Sequence, residues 1–338
     1  MKNSQATIRD LAIKLGISIS TVSRALRNAP DVNPETKLAV LALAKELNYE
    51  PNRVAQSLRI KKTNTIGIVV PEIAMHFFSS VISGAQEFAA LHDYSIMICQ
   101  SMESMETEIS NINMLVANRV DGLIISLSNN TRNIDHLHTL LAKKIPVVLF
   151  DRVTDEIDVS KVIVDDHDAA FQATSYLIKT GCKRIAYIGG SAHLYISQKR
   201  FEGYRDALQK NNLPIREEYV YYANDLGNVV DATQRLLDLP ERPDAIFCLN
   251  DPVAIQAMQV IKRRNLSLPT DISLIGFTNE PVSQFIEPSL TTVAQPARLM
   301  GQTAAELFIN QLEHKENYEP VTKILSTELI IRDSTRKI

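Results

Sequence analysis

Four side chains near the amino terminus fall on one helical face: Ile19, Ser20, Ser23 and Arg24, within ISISTVSRAL. A Ser hydroxyl reaches base edges or phosphate, an Arg fork pairs with guanine O6 and N7, and Ile packs on a thymine methyl. The chemistry on offer is the reading of a duplex.

Positioning those residues takes two short helices and a tight turn. Thr7 caps the first helix, with Asp10 three residues on as in a capping box with a shorter acid. Ile8, Leu11, Ala12 and Leu15 form its apolar stripe. Gly16 permits the sharp turn and Ile17 plugs the core. Ser18 caps the second helix, whose Val22, Ala25 and Leu26 face inward. This pattern suits a helix-turn-helix whose second helix lies in a major groove. A plain helical hairpin with a solvated outer face is the competing reading.

Asn33-Pro34-Glu35 starts a third helix with a cap, a first-turn Pro and a first-turn acid. Leu38, Val40, Leu41, Ala44 and Leu47 supply its apolar face, and Tyr49-Glu50-Pro51 ends it. The following piece, NRVAQSLRIKK, is basic and too short to be stable alone. Small Ala55 and projecting Leu58 suit a hinge helix that wedges a minor groove, and a basic linker that folds only on binding satisfies the same residues.

Charge is divided along the chain. Residues 1–62 carry 11 Lys/Arg against 5 Asp/Glu, and the remaining residues carry 25 against 34. A basic head on an acidic body localises phosphate attraction to one end. No export signal and no membrane-spanning run is visible, so a cytoplasmic protein with no membrane partner is expected. Cys99, Cys182 and Cys248 are too widely spaced for a disulfide framework or a metal site, and are read as reduced, buried thiols.

From Thr65 onward short apolar runs alternate with helical stretches. The runs are Thr65–Val70, Tyr94–Cys99, Gly122–Ser126, Pro146–Phe150, Arg184–Ile188, Ala245–Leu249 and Ser273–Gly276. These read as buried parallel strands of a doubly wound α/β body, large enough for two lobes. Ligands of such sheets sit beyond the carboxyl ends of strands. Phe77-Phe78, Asp151-Arg152, Asn250-Asp251 and Thr278-Asn279 all follow strands. Singly each has a plainer reading: Phe77 as core, Arg152 in a surface ion pair, Asp251 as a helix cap. Their recurrence favours a shared cleft.

ATIRDLAIKLGISISTVSRAL, NPET, NYEPNRVAQSLR and TNTIGIVVP resemble the LacI/GalR family of bacterial transcription regulators. The resemblance continues through PVVLFDR, GCKRIAYIG, RFEGY, AIFCLND, ISLIGF, PSLTTVAQP and ELIIRD. It implies an all-α helix-turn-helix head in residues 1–50 and a hinge in 51–62. Residues 63–338 would form a two-lobed periplasmic-binding-protein-like body for effector binding and dimerisation. Its N-lobe would span about 63–162 and 294–324, and its C-lobe about 163–293 and 325–338.

The resemblance also implies a homodimer on a pseudo-palindromic operator. Ile19, Ser20 and Arg24 would read bases, and Thr21, Ser23 and Asn28 would hold phosphates, with Thr7 beside them. Ala55 and Leu58 would enter the minor groove. Phe77, Phe78, Asp151, Arg200, Asn250, Thr278 and Gln295 would bind a small effector, a sugar or related metabolite. Arg200 is read as opening the helix at RFEGY. The chain departs from the family where many members carry an Asp that bonds ligand hydroxyls, since Thr278 stands there. Pro252, Leu194 and Ile196 also occupy positions where relatives differ. A dimer is favoured over a tetramer because no heptad segment follows TELIIRDSTRKI.

The rivals are weaker. No GxxxxGK[ST], GxGxxG or GxSxG occurs, so an enzyme is not expected. Asp165-Asp166-His167-Asp168 has the look of a metal cluster but suits acids at the start of a helix spanning Ala169–Leu177. No cofactor or metal is expected. His136 and His138 are read as facing solvent, and the Met residues between 97 and 114 as packing. A solute-binding protein with the same body is the remaining alternative.

Overall fold

The computed structural model describes residues 6–49, 62–223, 226–314 and 317–338. The chain divides into two compact units, Met1–Thr63 and Asn64–Ile338.

The first unit contains α1 (Ile8–Leu15), α2 (Ile19–Leu26) and α3 (Pro34–Glu46). The capping box forms as the sequence indicates. The Asp10 N–H donates to Thr7 Oγ1, and the Thr7 N–H donates to Asp10 Oδ2 at 2.8 Å. Gly16 ends α1 at a φ of 65°, where a side chain would be strained. Ser18 and Asn33 cap the next two helices. Leu11, Ala12, Val22, Ala25, Val40 and Ala44 make the core, with Ile8, Leu15, Ile17, Leu26, Leu43 and Leu47 against it. The apolar face of α3 is therefore narrower than the sequence suggested. Leu38 and Leu41 are exposed, because the two partner helices cover only the Val40–Ala44 side.

The second unit holds two six-stranded sheets. One has β1 (Thr65–Val70), β2 (Ser95–Gln100), β3 (Gly122–Ile125), β4 (Val147–Phe150), β5 (Ser160–Val164) and β11 (Thr322–Leu325), in the order β11-β5-β4-β3-β1-β2. All its pairings are parallel. The other has β6 (Ile185–Gly189), β7 (Val220–Tyr222), β8 (Ala245–Cys248), β9 (Ser273–Thr278), β10 (Thr291–Ala294) and β12 (Glu328–Ile330), in the order β12-β10-β9-β8-β6-β7. Only its β10–β12 edge is antiparallel. The chain passes between the sheets after β5, after β10 and after β11.

The inner strands β3, β4, β6 and β8 are buried along their whole length, as expected when helices cover both faces of a parallel sheet. On the first sheet the helices are α4 (His76–Leu91), α5 (Met105–Ala117), α6 (Asp135–Ala142) and α11 (Ala297–Glu313). On the second they are α7 (Asp166–Lys179), α8 (Tyr195–Lys210), α9 (Leu226–Asp238) and α10 (Asp251–Arg263). Among the described residues no helix is long and apolar enough to cross a membrane. All three cysteines are free and buried. Met102 and Met114 are exposed rather than packed, since Met102 lies in a turn and Met114 on the outer side of α5.

Candidate DNA-reading face and ligand cleft

In the head, α2 turns Val22 and Ala25 inward and leaves Ile19, Ser20 and Arg24 exposed, with Thr21 and Ser23 half-buried. Ser18 ties the start of this face. Its hydroxyl accepts from the Thr21 N–H at 3.1 Å and lies 2.7 Å from Ser20 Oγ and 2.8 Å from Thr21 Oγ1. At the other end the Arg27 Nε donates to the Ser23 carbonyl, and Arg24 Nη1 donates to Asp31 Oδ2 at 2.9 Å. Asn28 is exposed at a φ of 60°, which Asn tolerates better than most residues. Thr7 spends its hydroxyl on the Asp10 carboxylate, and the two Thr7 hydrogen bonds hold that carboxyl below its ordinary range. Ala55 and Leu58 lie outside the described residues.

In the second unit, a cleft of about 370 Å³ opens between the sheets at the carboxyl ends of their strands. Phe77, Phe78, Asp151, Arg200, Asn250, Thr278 and Gln295 all line it. Each comes from a different strand end or the helix that follows one, except the adjacent pair of Phe. Leu194, Ile196, Leu249, Pro252 and Val253 give the second-sheet side of the cleft an apolar lining.

Arg200 is fully buried in the second turn of α8, not at its start. Its Nε donates to Asp166 Oδ1 at 2.7 Å, its Nη1 donates to the Leu249 carbonyl at 2.6 Å, and its guanidinium stacks 3.6 Å from the Phe277 ring centroid. Asp166 therefore serves as the counter-ion of Arg200, while its neighbour Asp165 caps α7. Burial pushes the Asp166 carboxyl up, against the pull of Arg200.

Asp151 is also buried, in the left-handed region at a φ of 56° just after β4. Burial raises its carboxyl above the usual range, opposed by Arg152, Arg200 and a long 3.4 Å hydrogen bond from Gln295 Nε2. Gln295 Oε1 is buried without a partner. Both residues line the cleft, and Gln295 holds a spare acceptor there.

Three plainer readings are corrected. Arg152 pairs with Glu103 at 2.6 Å inside the cleft rim, not on the open surface. The cap of α10 is Asn250, whose Oδ1 accepts from the Val253 N–H, so Asp251 is free for another task. It is buried and accepts from the Glu280 N–H, Ser283 Oγ and Thr292 Oγ1. His136 is not solvent-facing: its Nε2 lies 3.0 Å from the buried Glu108 Oε1. His138 is exposed.

Sequence reasoning missed Glu108 and Glu103. Glu108 accepts from the Ser128 N–H and hydroxyl and from Thr131 Oγ1, and Glu103 accepts from the Asn129 N–H. Both fix the loop after β3, and Asn129 on that loop lines the cleft. No local pattern marks a Glu whose donors lie about 20 residues away.

Residues 7–52 match the model of bacterial regulatory proteins of the lacI family, and residues 174–335 match a periplasmic binding protein-like domain. Catabolite control protein A of Priestia megaterium is 33% identical over 334 residues, 98% of this chain and 99% of that protein. The chain belongs to the lacI family. The HTH-type transcriptional repressor CytR of Escherichia coli K12 is 32% identical over 342 residues, covering 100% of this chain and 98% of that one.

Two solved structures of such regulators are similar along the whole chain. The lac repressor dimer bound to operator and the anti-inducer ONPF has a TM-score of 0.87 at 26% identity, covering 99% and 100% of the two chains. The regulator CelR in complex with cellobiose has a TM-score of 0.75 at 30% identity, covering 97% and 99%. This lacI-family chain is a DNA-binding transcriptional regulator with a helix-turn-helix head and a two-sheet α/β body, and the solute-binding alternative falls with the match of the head.

Proposed function

We propose that the protein is a cytoplasmic, non-enzymatic repressor that binds a pseudo-palindromic operator as a homodimer and is controlled by a small molecule in the cleft. The observation that carries the ligand-controlled part is the convergence of seven side chains from six strand ends on one cleft, in a chain that also carries the head. The similar regulators with bound operator, ONPF or cellobiose support the same reading.

In this scheme α2 enters the major groove. Ile19, Ser20 and Arg24 contact bases, while Thr21, Ser23 and Asn28 hold the backbone, and Thr7 fixes the start of α1 through its capping box. Ala55 and Leu58 of the hinge enter the minor groove. The effector lays an apolar face on Phe77 and Phe78 and donates hydrogen bonds to Asp151 and Gln295. Arg200, already held by Asp166 and Leu249, is pre-set to touch it. Asn250 and Thr278 complete the second-sheet side. Thr278 Oγ1 donates to the Phe277 carbonyl, so it offers the ligand lone pairs rather than the charge an Asp would bring. The effector acts only through its different affinities for the DNA-competent and DNA-incompetent states, a coupling of about 1–3 kcal/mol in typical cases.

The test is operator selection from random duplexes by the full chain, repeated with a panel of sugars, sugar derivatives and nucleosides. A palindromic site whose occupancy changes with one compound is expected. Binding with no sequence preference at low salt rejects the proposal. A site insensitive to every cleft ligand, in a protein shown to bind one, rejects its regulatory half.

A further inference from the structure

We propose that Asp31 is a positioning residue that sets the base discrimination of Arg24; this rests on α2 being the reading helix. Asp31 stands in the turn between α2 and α3, and its carboxylate accepts from Arg24 Nη1 at 2.9 Å. Both side chains are about half exposed. The turn itself is tied to residue 24, because the Ala29 N–H donates to the Arg24 carbonyl at 3.1 Å and the Arg27 N–H to the same oxygen at 3.2 Å. Beyond Asp31 the Asn33 cap, accepting from the Glu35 N–H at 2.8 Å, starts α3. Backbone contacts thus place the acid and the base within reach of each other.

The head is otherwise arranged to attract anions. Among its described residues this is the one acid–base pair within 4.0 Å, while Asp10 is committed to its helix cap. An exposed pair of this kind adds little to folding. Its effect falls instead on what Arg24 can bind. An unrestrained guanidinium grips any phosphate, and phosphate contacts carry no sequence information. A carboxylate beside it repels a phosphate but not the uncharged O6/N7 edge of guanine. The single contact through Nη1 leaves Nε and Nη2, with no other hydrogen bond among the described residues, as donors for a base. Asp31 therefore weakens non-specific binding more than operator binding, which is specificity gained by penalising the wrong partner.

The experiment uses the full chain, its selected operator, and an equal-length duplex with the Arg24-contacted base pair exchanged, titrated over a salt series. Asp31→Asn is expected to raise affinity for the exchanged duplex about three- to tenfold, to lower the operator preference by a similar factor, and to steepen the salt dependence by roughly one counterion. Asp31→Glu is expected to restore the preference. In an Arg24→Ala background, Asp31→Asn is expected to leave the preference at that base pair unchanged. If Arg24→Ala collapses the preference while Asp31→Asn leaves it intact, this inference is overturned and the DNA-reading scheme stands. An Asp31→Asn effect of equal size without Arg24 also overturns it. If Arg24→Ala keeps full selectivity, the reading of α2 fails and the inference falls with it. Circular dichroism of each variant separates these outcomes from unfolding.

Discussion

Buried carboxylates in the body divide by what they meet. Asp151 lines the cleft, while Asp251 spends its acceptor capacity inside the second lobe on the Glu280 N–H, Ser283 and Thr292. Burial lifts the Asp251 carboxyl from 3.8 to about 6, with those three donors opposing. The folded value lies above the unfolded one, so the fold favours the protonated form. The stability this confers is full below about pH 4 and lost as pH rises through about 6. Asp251→Asn does not titrate there, and it turns one acceptor into a donor facing other donors, at a cost of about 2 kcal/mol. Denaturant unfolding is expected to show a wider gap between wild type and Asp251→Asn at about pH 4.5 than at about pH 7.5. A gap that is constant, or wider at the higher pH, contradicts this. The sequence placed Asp251 after a strand correctly but could not decide between cap and tie, because Ser283 and Thr292 are about 30–40 residues distant.

Among the elements, α4 and α11 pack closely, and the contact rests on two glycines. A Cβ on Gly84 would sit 2.0 Å from the Arg298 carbonyl oxygen, and one on Gly301 would sit 1.9 Å from that of Val81. Backbone atoms cannot swing aside, so the helices must part. α4 begins with Phe77 and Phe78, and α11 begins just after Gln295, so parting them also shifts the cleft. Gly84→Ala and Gly301→Ala are each expected to destabilise the body by about 1–3 kcal/mol and to weaken cleft ligands. Unchanged denaturation midpoints would show that the helices do not approach this closely. The seven strands read from the sequence are present to within two residues at each end, but β2 is a partly exposed edge strand rather than a buried one. Five others escaped the apolar-run criterion. β5 carries Ser160 and Lys161, and Lys161 Nζ reaches Asp155. β10 carries Thr291 and Thr292, whose hydroxyls pair with Thr335 and Asp251. β7, β11 and β12 are short and lie at or beside sheet edges, partly exposed. Polar atoms satisfied by distant partners leave no periodic signal.

At the scale of the whole body, polar contacts beside the cleft join the two lobes, and two of them are made by side chains. The Phe77 N–H donates to Glu280 Oε1 at 3.3 Å, and Arg132 Nη1 donates to His193 Nδ1 at 2.6 Å. Arg132 belongs to the loop after β3 that Glu108 and Glu103 anchor, so this loop joins the cleft lining to the opposite lobe. His193 can accept from Arg132 only while its ring is neutral. Burial first, and then the Arg132 charge, hold its pKa below the ordinary 6.5, with the Asn129 and Thr131 backbone pulling the other way. The neutral form is therefore the one the contact favours. The contact is fully available above about pH 6.5 and lost as pH falls through the lowered value. With one spin label in each lobe, the full chain is expected to show a wider inter-lobe distance at about pH 5 than at about pH 7.5. His193→Gln keeps an acceptor that does not titrate and is expected to flatten that response. A wild-type distance that does not change over this range would mean that the Arg132–His193 contact does not hold the lobes together.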